Sequence, residues 1–106
     1  MEMKYRTEGR SLTIFLSGEL DHHAARALMA SMDRCMEQTL PLQTVLDLKG
    51  LTFMDSSGIA VVLRCKRRME ALGGSLAVVN IPRQAAKVLD AAGLSRRIDL
   101  TEEGER

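Results

Sequence analysis

Residues 53–60 read FMDSSGIA, and they join an apolar, strand-like stretch to a segment with helical spacing. After the two serines, Val61, Val62, Cys65 and Met69 recur on one face of a helix that extends to about residue 72. An aspartate and two serines at such a junction are typical of a helix start, where backbone N–H groups lack intrahelical partners. The stretch therefore predicts a strand, a tight turn and a helix in immediate succession.

The alternation of strand and helix extends over the rest of the chain. Strands are predicted near residues 4–10, 11–17, 44–48, 76–79 and 98–100, and helices near residues 22–38, 57–72 and 83–92. Gly18 is expected to end the second strand, and the apolar run at residues 44–48 predicts a central strand buried on both faces. The pattern predicts an α/β fold, with a mixed, mainly parallel sheet of four to five strands and helices packed on it.

Length and composition restrict the class of protein. A chain of 106 residues can form one hydrophobic core, so we expect a single domain over residues 1–106 with a polar tail from about residue 101. A net charge of +1 provides no strong field for nucleic acid or for an anionic membrane. No apolar run approaches the roughly 20 residues needed to span a bilayer. We therefore predict a cytoplasmic protein that binds neither nucleic acid nor membrane.

The cysteines and the basic run do not point to chemistry of their own. Cys35 and Cys65 lack the spacing of metal ligands and fall on apolar arcs, which predicts buried, reduced thiols. We expect no metal and no cofactor. Arg64, Arg67 and Arg68 are expected on a solvated helix face, since no aromatic residues are interleaved with them to stack on bases.

Two strand-to-helix turns carry the candidate functional residues. Asp21 lies in one turn, and Asp55 and Ser56 lie in the other, after two strands that one crossover helix connects. Right-handed crossovers place such turns at the same edge of a parallel sheet. If the two strands are neighbours, Asp21 and Ser56 lie side by side at the edge where open α/β sheets bind ligands and partners.

The serines allow three interpretations from the residues alone. They can cap the helix, or they can carry a phosphate, which free N–H groups and the positive end of the helix dipole favour. The third is a catalytic serine with Asp21, His22 and His23. A GxSxG motif is absent, however, and consecutive histidines on a helix diverge by about 100°. Extrapolating the helix backward directs Ser56 away from the core and Ser57 to its side.

Ile59 and Leu63 lie one helical turn apart, on the side toward which Ser56 projects. They either pack against an adjacent helix or form a small apolar patch beside the serine, where a partner can dock.

Two stretches, SGELDHHAA at residues 17–25 and LTFMDSSGIAVVL at residues 51–63, resemble the signature stretches of STAS-domain anti-sigma factor antagonists. The likeness is greatest to the sporulation-type anti-sigma F factor antagonists, and it extends over nearly the whole chain. It implies a STAS-like fold and a bacterial regulator, not an enzyme. In that family the unphosphorylated antagonist binds a kinase-type anti-sigma factor and frees a sigma factor. The kinase uses ATP to phosphorylate a serine of the antagonist, which ends binding, and a PP2C-type phosphatase restores the antagonist.

Carried onto this sequence, the resemblance assigns the phosphorylated serine to Ser56. The predicted partner-binding residues are Asp21, Asp55, Ser57, Gly58, Ile59 and Leu63. Ala60 departs from the family pattern, because a second glycine is common there, and alanine stiffens the first helical turn. The alternatives are a stress-response or other partner-switching STAS protein that serves a different kinase and, more remotely, a small serine hydrolase.

Overall fold

The structure is a computed structural model that describes residues 1–104, and its centre is one five-stranded sheet. The strands are β1 (Glu2–Glu8), β2 (Ser11–Leu20), β3 (Gln43–Met54), β4 (Ser75–Ile81) and β5 (Asp99–Glu102). They lie in sequence order, with β1 antiparallel to β2 and every other neighbouring pair parallel. The predicted mixed, mainly parallel sheet is therefore confirmed.

Three helices connect the parallel strands, as the sequence predicts. They are α1 (His22–Thr39), α2 (Ser57–Ala71) and α3 (Arg83–Ala91), and a short 3-10 helix (Leu94–Arg96) precedes β5. α1 ends at Leu40, which adopts a left-handed φ of 46° and donates its N–H to Met36, and Pro41 follows. Each connection leads to the next strand in the same direction, so right-handed crossovers place all three helices on one face of the sheet.

The core lies between the helices and one face of the sheet. Leu12, Ile14 and Leu16 of β2 are buried, and so are Leu46 and Leu48 of β3. The residues between them are only half-buried, so side chains alternate between the core and an open face. The prediction that residues 44–48 are buried on both faces is wrong, because one layer of helices covers only one side of the sheet.

Polar and aromatic contacts line the open face. Asn80 donates to Asp47 at 3.0 Å, and the Arg6 guanidinium lies 5.6 Å from the centre of the Phe15 ring. These contacts give side chains on the open face of β2 and β3 partners within the chain.

β2 and β3 both extend further than the sequence predicts. β2 continues to Leu20 because Gly18 lies at a shift in the β2–β3 register that the strand accommodates. Gly18 has a φ of +99°, which glycine adopts more readily than other residues. Gly18 therefore does not end the strand. β3 continues through Gly50 to Met54, so that Leu20 pairs with Met54 where the two strands end.

The end of the chain contributes to the sheet. Thr101 and Glu102 belong to β5, and the N–H of Glu103 donates to Ile81 at 2.8 Å, so the predicted polar tail begins later than residue 101. The last two residues of that tail lie outside the described residues. In the described part of the chain, no helix combines the length and the apolar character that crossing a membrane requires.

Both cysteines are buried and free, as predicted. Burial raises the pKa of the Cys65 thiol to about 12, with smaller contributions from Asp33 and Cys35. The thiol is therefore protonated at neutral pH and behaves as a small apolar side chain.

Candidate functional site

The site lies where β2 and β3 end together at the carboxyl edge of the sheet. Because Leu20 pairs with Met54 in parallel register, the next residues, Asp21 and Asp55, begin neighbouring turns. The predicted side-by-side arrangement of the two turns is confirmed. The starts of α1 and α2 therefore face the same surface, at the edge that open α/β sheets use for ligands and partners.

Asp21 is the N-cap of α1. Its backbone is extended, with φ of −108° and ψ of −177°, and its Oδ1 accepts the N–H of Ala24 at 3.0 Å. Within residues 1–104, its second carboxylate oxygen has no hydrogen-bond donor from the protein. The cap thus leaves part of this carboxylate available to a partner.

Asp55 makes three hydrogen bonds, of which one lies within its own turn and two connect it to the turn of Asp21. Its Oδ1 accepts the N–H of Ser57 at 2.8 Å, and its Oδ2 accepts the N–H of His22 at 3.0 Å. Its own N–H donates to the carbonyl of Leu20 at 3.1 Å. The Ser57 N–H is the main cause that holds the pKa of Asp55 below 3.8, and His22 adds to it.

The two serines differ in exposure and in hydrogen bonding. Ser56 is exposed, with helical φ and ψ of −62° and −17°, and its side chain makes no capping bond. Across the described residues, its hydroxyl has no hydrogen-bond partner. Ser57 is half-buried, and its N–H is held by Asp55. The capping interpretation is therefore wrong for the Ser56 side chain, since Asp55 caps α2 in its place.

Three of the N–H groups at the start of α2, those of Ser57, Gly58 and Ile59, are already paired within the chain. Besides the Ser57 N–H, the Gly58 N–H donates to the Asp55 carbonyl at 3.0 Å, and the Ile59 N–H donates to the Ser56 carbonyl at 3.1 Å. A phosphate on Ser56 would find these three donors already in use.

Gln84 of α3 holds the end of β3 and was not identified from the sequence. Its Nε2 donates to the Met54 carbonyl at 2.7 Å, and its Oε1 accepts the Met54 N–H at 2.8 Å. The amide thus continues the hydrogen bonding of β3 past the residues that pair with β4. The only signal in the sequence is its place after the third strand-to-helix turn of the same edge.

At Gly58, α2 packs closely against the end of β3. It is buried, and a Cβ there would overlap the side chain of Met54. Glycine at this position lets the first turn of the helix pack directly on the end of β3.

The remaining residues of α2 mostly face other parts of the protein. Ile59 and Leu63 are half-buried and pack against the core, which leaves only part of each side chain at the surface. Arg64 and Arg67 are exposed and Arg68 is half-buried, so the predicted solvated face is confirmed. The sequence did not predict that Arg64 and Arg68 also bind Asp33 of α1. An amphipathic pattern identifies the core side of a helix, but it does not identify a neighbouring helix that supplies a carboxylate.

The geometry does not assemble a catalytic triad. His22 and His23 are exposed, and their ring centres lie 5.9 Å apart in an edge-to-face arrangement. In the part of the chain that the structure describes, no hydrogen bond joins either ring to Ser56, and Asp21 is engaged in capping. In the same residues, no group of three or more His, Cys, Asp or Glu side chains is arranged to hold a metal ion.

Known proteins are similar to this chain in sequence and in fold. The STAS domain family matches residues 2–105. The anti-sigma F factor antagonist of Paenibacillus polymyxa is 39% identical over 83 residues, which are 78% of this chain and 71% of that protein. The anti-sigma factor antagonist SpoIIAA in its unphosphorylated form has a TM-score of 0.80 at 29% identity, over 96% of this chain and 90% of that one.

A second solved structure, the Bacillus cell fate determinant SpoIIAA in the phosphorylated form, has a TM-score of 0.72 at 29% identity and covers 96% of this chain and 93% of that one. The sequence match and both structures agree with the five-stranded mixed sheet and three helices described above. This chain therefore belongs to the STAS domain family, and over most of its length it is similar to anti-sigma factor antagonists.

Proposed function

We propose that this chain is an anti-sigma factor antagonist that is switched by phosphorylation of Ser56. Unphosphorylated, it binds a kinase-type anti-sigma factor in the cytoplasm, and the sigma factor is released. The kinase then transfers phosphate from ATP to Ser56, and the antagonist dissociates. A PP2C-type phosphatase returns it to the binding state. The chain itself acts as a binding protein and a phosphate acceptor, not as an enzyme.

The exposed and unbonded hydroxyl of Ser56 carries this proposal. A kinase needs a hydroxyl that reaches its active site without breaking internal hydrogen bonds. Ser56 meets that requirement because it is exposed, whereas Ser57 is half-buried. It lies at the carboxyl edge of the sheet, beside Asp55 and the turn that begins at Asp21. The similarity to SpoIIAA, which was solved in an unphosphorylated and a phosphorylated form, supports regulation by phosphorylation.

Electrostatics explain how one phosphate can end binding. Phosphorylation adds a charge of about −1.5 to −2 at pH 7, next to the carboxylates of Asp21 and Asp55. A partner surface that accommodates a neutral hydroxyl would have to desolvate this charge or meet it with repulsion. A hundredfold loss of affinity requires only about 2.8 kcal/mol. No rearrangement of the fold is needed for a change of that size.

The partner surface consists of the two turns and the exposed parts of α2. Asp21, with its second carboxylate oxygen, and the exposed edges of Ile59 and Leu63 are suited to direct contact. Phe53, which is 42% exposed, precedes the turn and adds an aromatic side chain of the kind that often anchors interfaces. Gly58 and Ser57 contribute by shaping the turn, since one is buried and the other is half-buried.

The test is to incubate the purified chain with ATP and the candidate anti-sigma kinases encoded in the same genome. We expect one phosphate per chain, which phosphopeptide mass spectrometry locates on Ser56. Ser56→Ala should bind the kinase without subsequent release, measured by calorimetry with and without ATP. Ser56→Asp should fold normally and bind at least about tenfold more weakly, because it places a charge at the interface.

Ser95→Ala is the matched control, because Ser95 is also exposed but lies in the short 3-10 helix near the end of the chain. It should be phosphorylated and released like the unaltered protein. Phosphate on Ser57, or full phosphorylation of Ser56→Ala, would contradict the assignment.

A further inference from the structure

The Asp55 side chain bonds to the starts of both helices of the site. Its carboxylate accepts N–H groups from the first residues of two different helices, at 2.8 Å from Ser57 and 3.0 Å from His22. Its own N–H donates to the residue that precedes Asp21. Asp21 is therefore bracketed, since Asp55 holds the residue before it and the residue after it.

The same carboxylate occupies the place that an anion on Ser56 would otherwise take. An N–H at the start of a helix attracts phosphate, because it is unpaired and lies at the positive end of the dipole. Here the Ser57 N–H is paired with Asp55, and the next two N–H groups are paired with backbone carbonyls. A phosphate on Ser56 would also be repelled by the Asp55 charge.

We propose that Asp55 is a positioning residue, which fixes Asp21 beside Ser56 and keeps the Ser57 N–H away from a phosphate on Ser56, so that the phosphate stays exposed to the partner. The proposal rests on the proposed phosphorylation of Ser56. It gives Asp55 a role inside the chain, whereas the sequence predicts direct partner contact. In this proposal the phosphate is effective because the Ser57 N–H does not draw it onto the helix.

The experiment uses the full chain with phosphoserine incorporated at position 56 during translation, so that it does not depend on finding the kinase. Phosphorus NMR gives the titration midpoint of the phosphate, and nitrogen–proton spectra report the Ser57 and His22 amides. Histidine side chains titrate in the same pH range as phosphoserine. The ring signals of His22 and His23 are therefore followed in the same samples.

Two substitutions separate charge from hydrogen bonding. Asp55→Asn removes the charge but keeps an oxygen for the Ser57 N–H, and Asp55→Ala removes both. We expect a small fall in the phosphate midpoint for Asp55→Asn and a clearly larger fall for Asp55→Ala, because only the latter frees the N–H. The Ser57 amide should then shift with the phosphate titration in Asp55→Ala alone.

Asp47→Asn is the matched control, because Asp47 also accepts the N–H two residues ahead, from Lys49 at 3.0 Å, but lies on the open face of the sheet. It should leave the phosphate midpoint unchanged. Equal midpoints for Asp55→Asn and Asp55→Ala would overturn the proposal. So would increased hydrogen exchange at Ser57 and His22 in the otherwise unaltered phosphorylated chain, since it would show that phosphate displaces Asp55.

Partner affinity provides a separate readout. Phosphoserine at position 56 should weaken kinase binding in both variants. The fold loss of affinity in Asp55→Ala should be at least about tenfold smaller than the fold loss in Asp55→Asn. If the unphosphorylated chain binds no anti-sigma factor, the proposed function fails, while the NMR comparison still decides whether Asp55 directs the phosphate. Equal losses of affinity in the two variants, with binding intact, would count against the positioning role alone.

Discussion

At the scale of single residues, three neighbouring polar side chains have three different physical roles. Among the bonds within residues 1–104, Asp21 caps a helix with one oxygen and keeps the other free, Asp55 uses both oxygens, and the Ser56 hydroxyl makes none. A group that is already satisfied contributes to the fold, and a group that is unsatisfied at the surface is available to a partner. This difference separates residues that read alike in the sequence.

Asp21→Asn tests whether the free oxygen of Asp21 matters for recognition. Asparagine caps a helix about as well as aspartate, so the free energy of unfolding should change by less than about 0.5 kcal/mol. The charge is lost, however, and we expect the affinity for the kinase or the rate of Ser56 phosphorylation to change several-fold.

Asp99→Asn, on the edge strand β5, is the control for a general effect of charge. Denaturant unfolding, calorimetry and phosphorylation kinetics are measured on both variants. If Asp21→Asn matches the unaltered chain in affinity and in phosphorylation rate, the role of Asp21 is limited to capping.

At the scale of elements, α1 and α2 are joined by an ion-pair network around Asp33. The Arg64 Nε lies 3.0 Å from Asp33 Oδ2, the Arg68 Nε lies 3.1 Å from Oδ1, and Arg68 also approaches Glu37 at 3.7 Å. The Asp33 side chain is only 14% exposed, so the network is partly shielded from water. It fixes the two helices whose starts form the candidate site.

Asp33→Asn should lower the free energy of unfolding at pH 7 by about 1–2 kcal/mol, because hydrogen bonds to charged groups are stronger than neutral ones. The bonds from Arg64 and then Arg68 hold the pKa of Asp33 below 3.8. A lowered pKa contributes stability above the unfolded-state value, and that contribution is lost as the pH falls through the lower folded-state value.

The difference between Asp33→Asn and the unaltered chain should therefore be full at pH 7 and should shrink below pH 3.8. Urea unfolding at neutral pH and at several acidic pH values measures it, with Asp90→Asn on α3 as an exposed control. A difference that is independent of pH would mean that packing, not ionisation, explains the loss.

At the scale of the whole molecule, the site depends on a helix that contributes no candidate partner residue. Gln84 of α3 is thirty positions from Met54 in sequence, yet its amide pairs with both the N–H and the carbonyl of that residue. Met54 directly precedes the turn of Asp55 and Ser56. The third crossover of the sheet therefore stabilises the turn that the second crossover begins.

Gln84→Ala should lower the free energy of unfolding by about 1–2 kcal/mol, because it removes the hydrogen bonds of both the N–H and the carbonyl of Met54. The Met54 amide should exchange faster by more than the loss of global stability accounts for. Gln84→Glu keeps the acceptor for the Met54 N–H and loses the donor to the Met54 carbonyl. Its stability and its Met54 exchange rate should therefore lie between those of the unaltered chain and those of Gln84→Ala. Hydrogen exchange by NMR checks this order, and unaltered protection of Met54 in Gln84→Ala would contradict it.

The sequence by itself determined the helices and strands, the helix start at residues 55–57 and the choice of Ser56 over Ser57 as the outward serine. These features follow from short-range periodicity and from helix-start chemistry, which act over a few residues. The neighbouring position of the two turns also followed, because crossover handedness restricts the topology. In each case the physical cause lies within one strand-and-helix unit.

Only the tertiary structure decided which distant groups meet. The bonds of Asp55 to His22, of Gln84 to Met54 and of Arg64 to Asp33 join residues 30 to 33 positions apart. Such pairs leave no periodic signal, because their geometry depends on strand register, on the added length of β2 and β3 and on the single layer of helices. The open face of the sheet follows from the same packing.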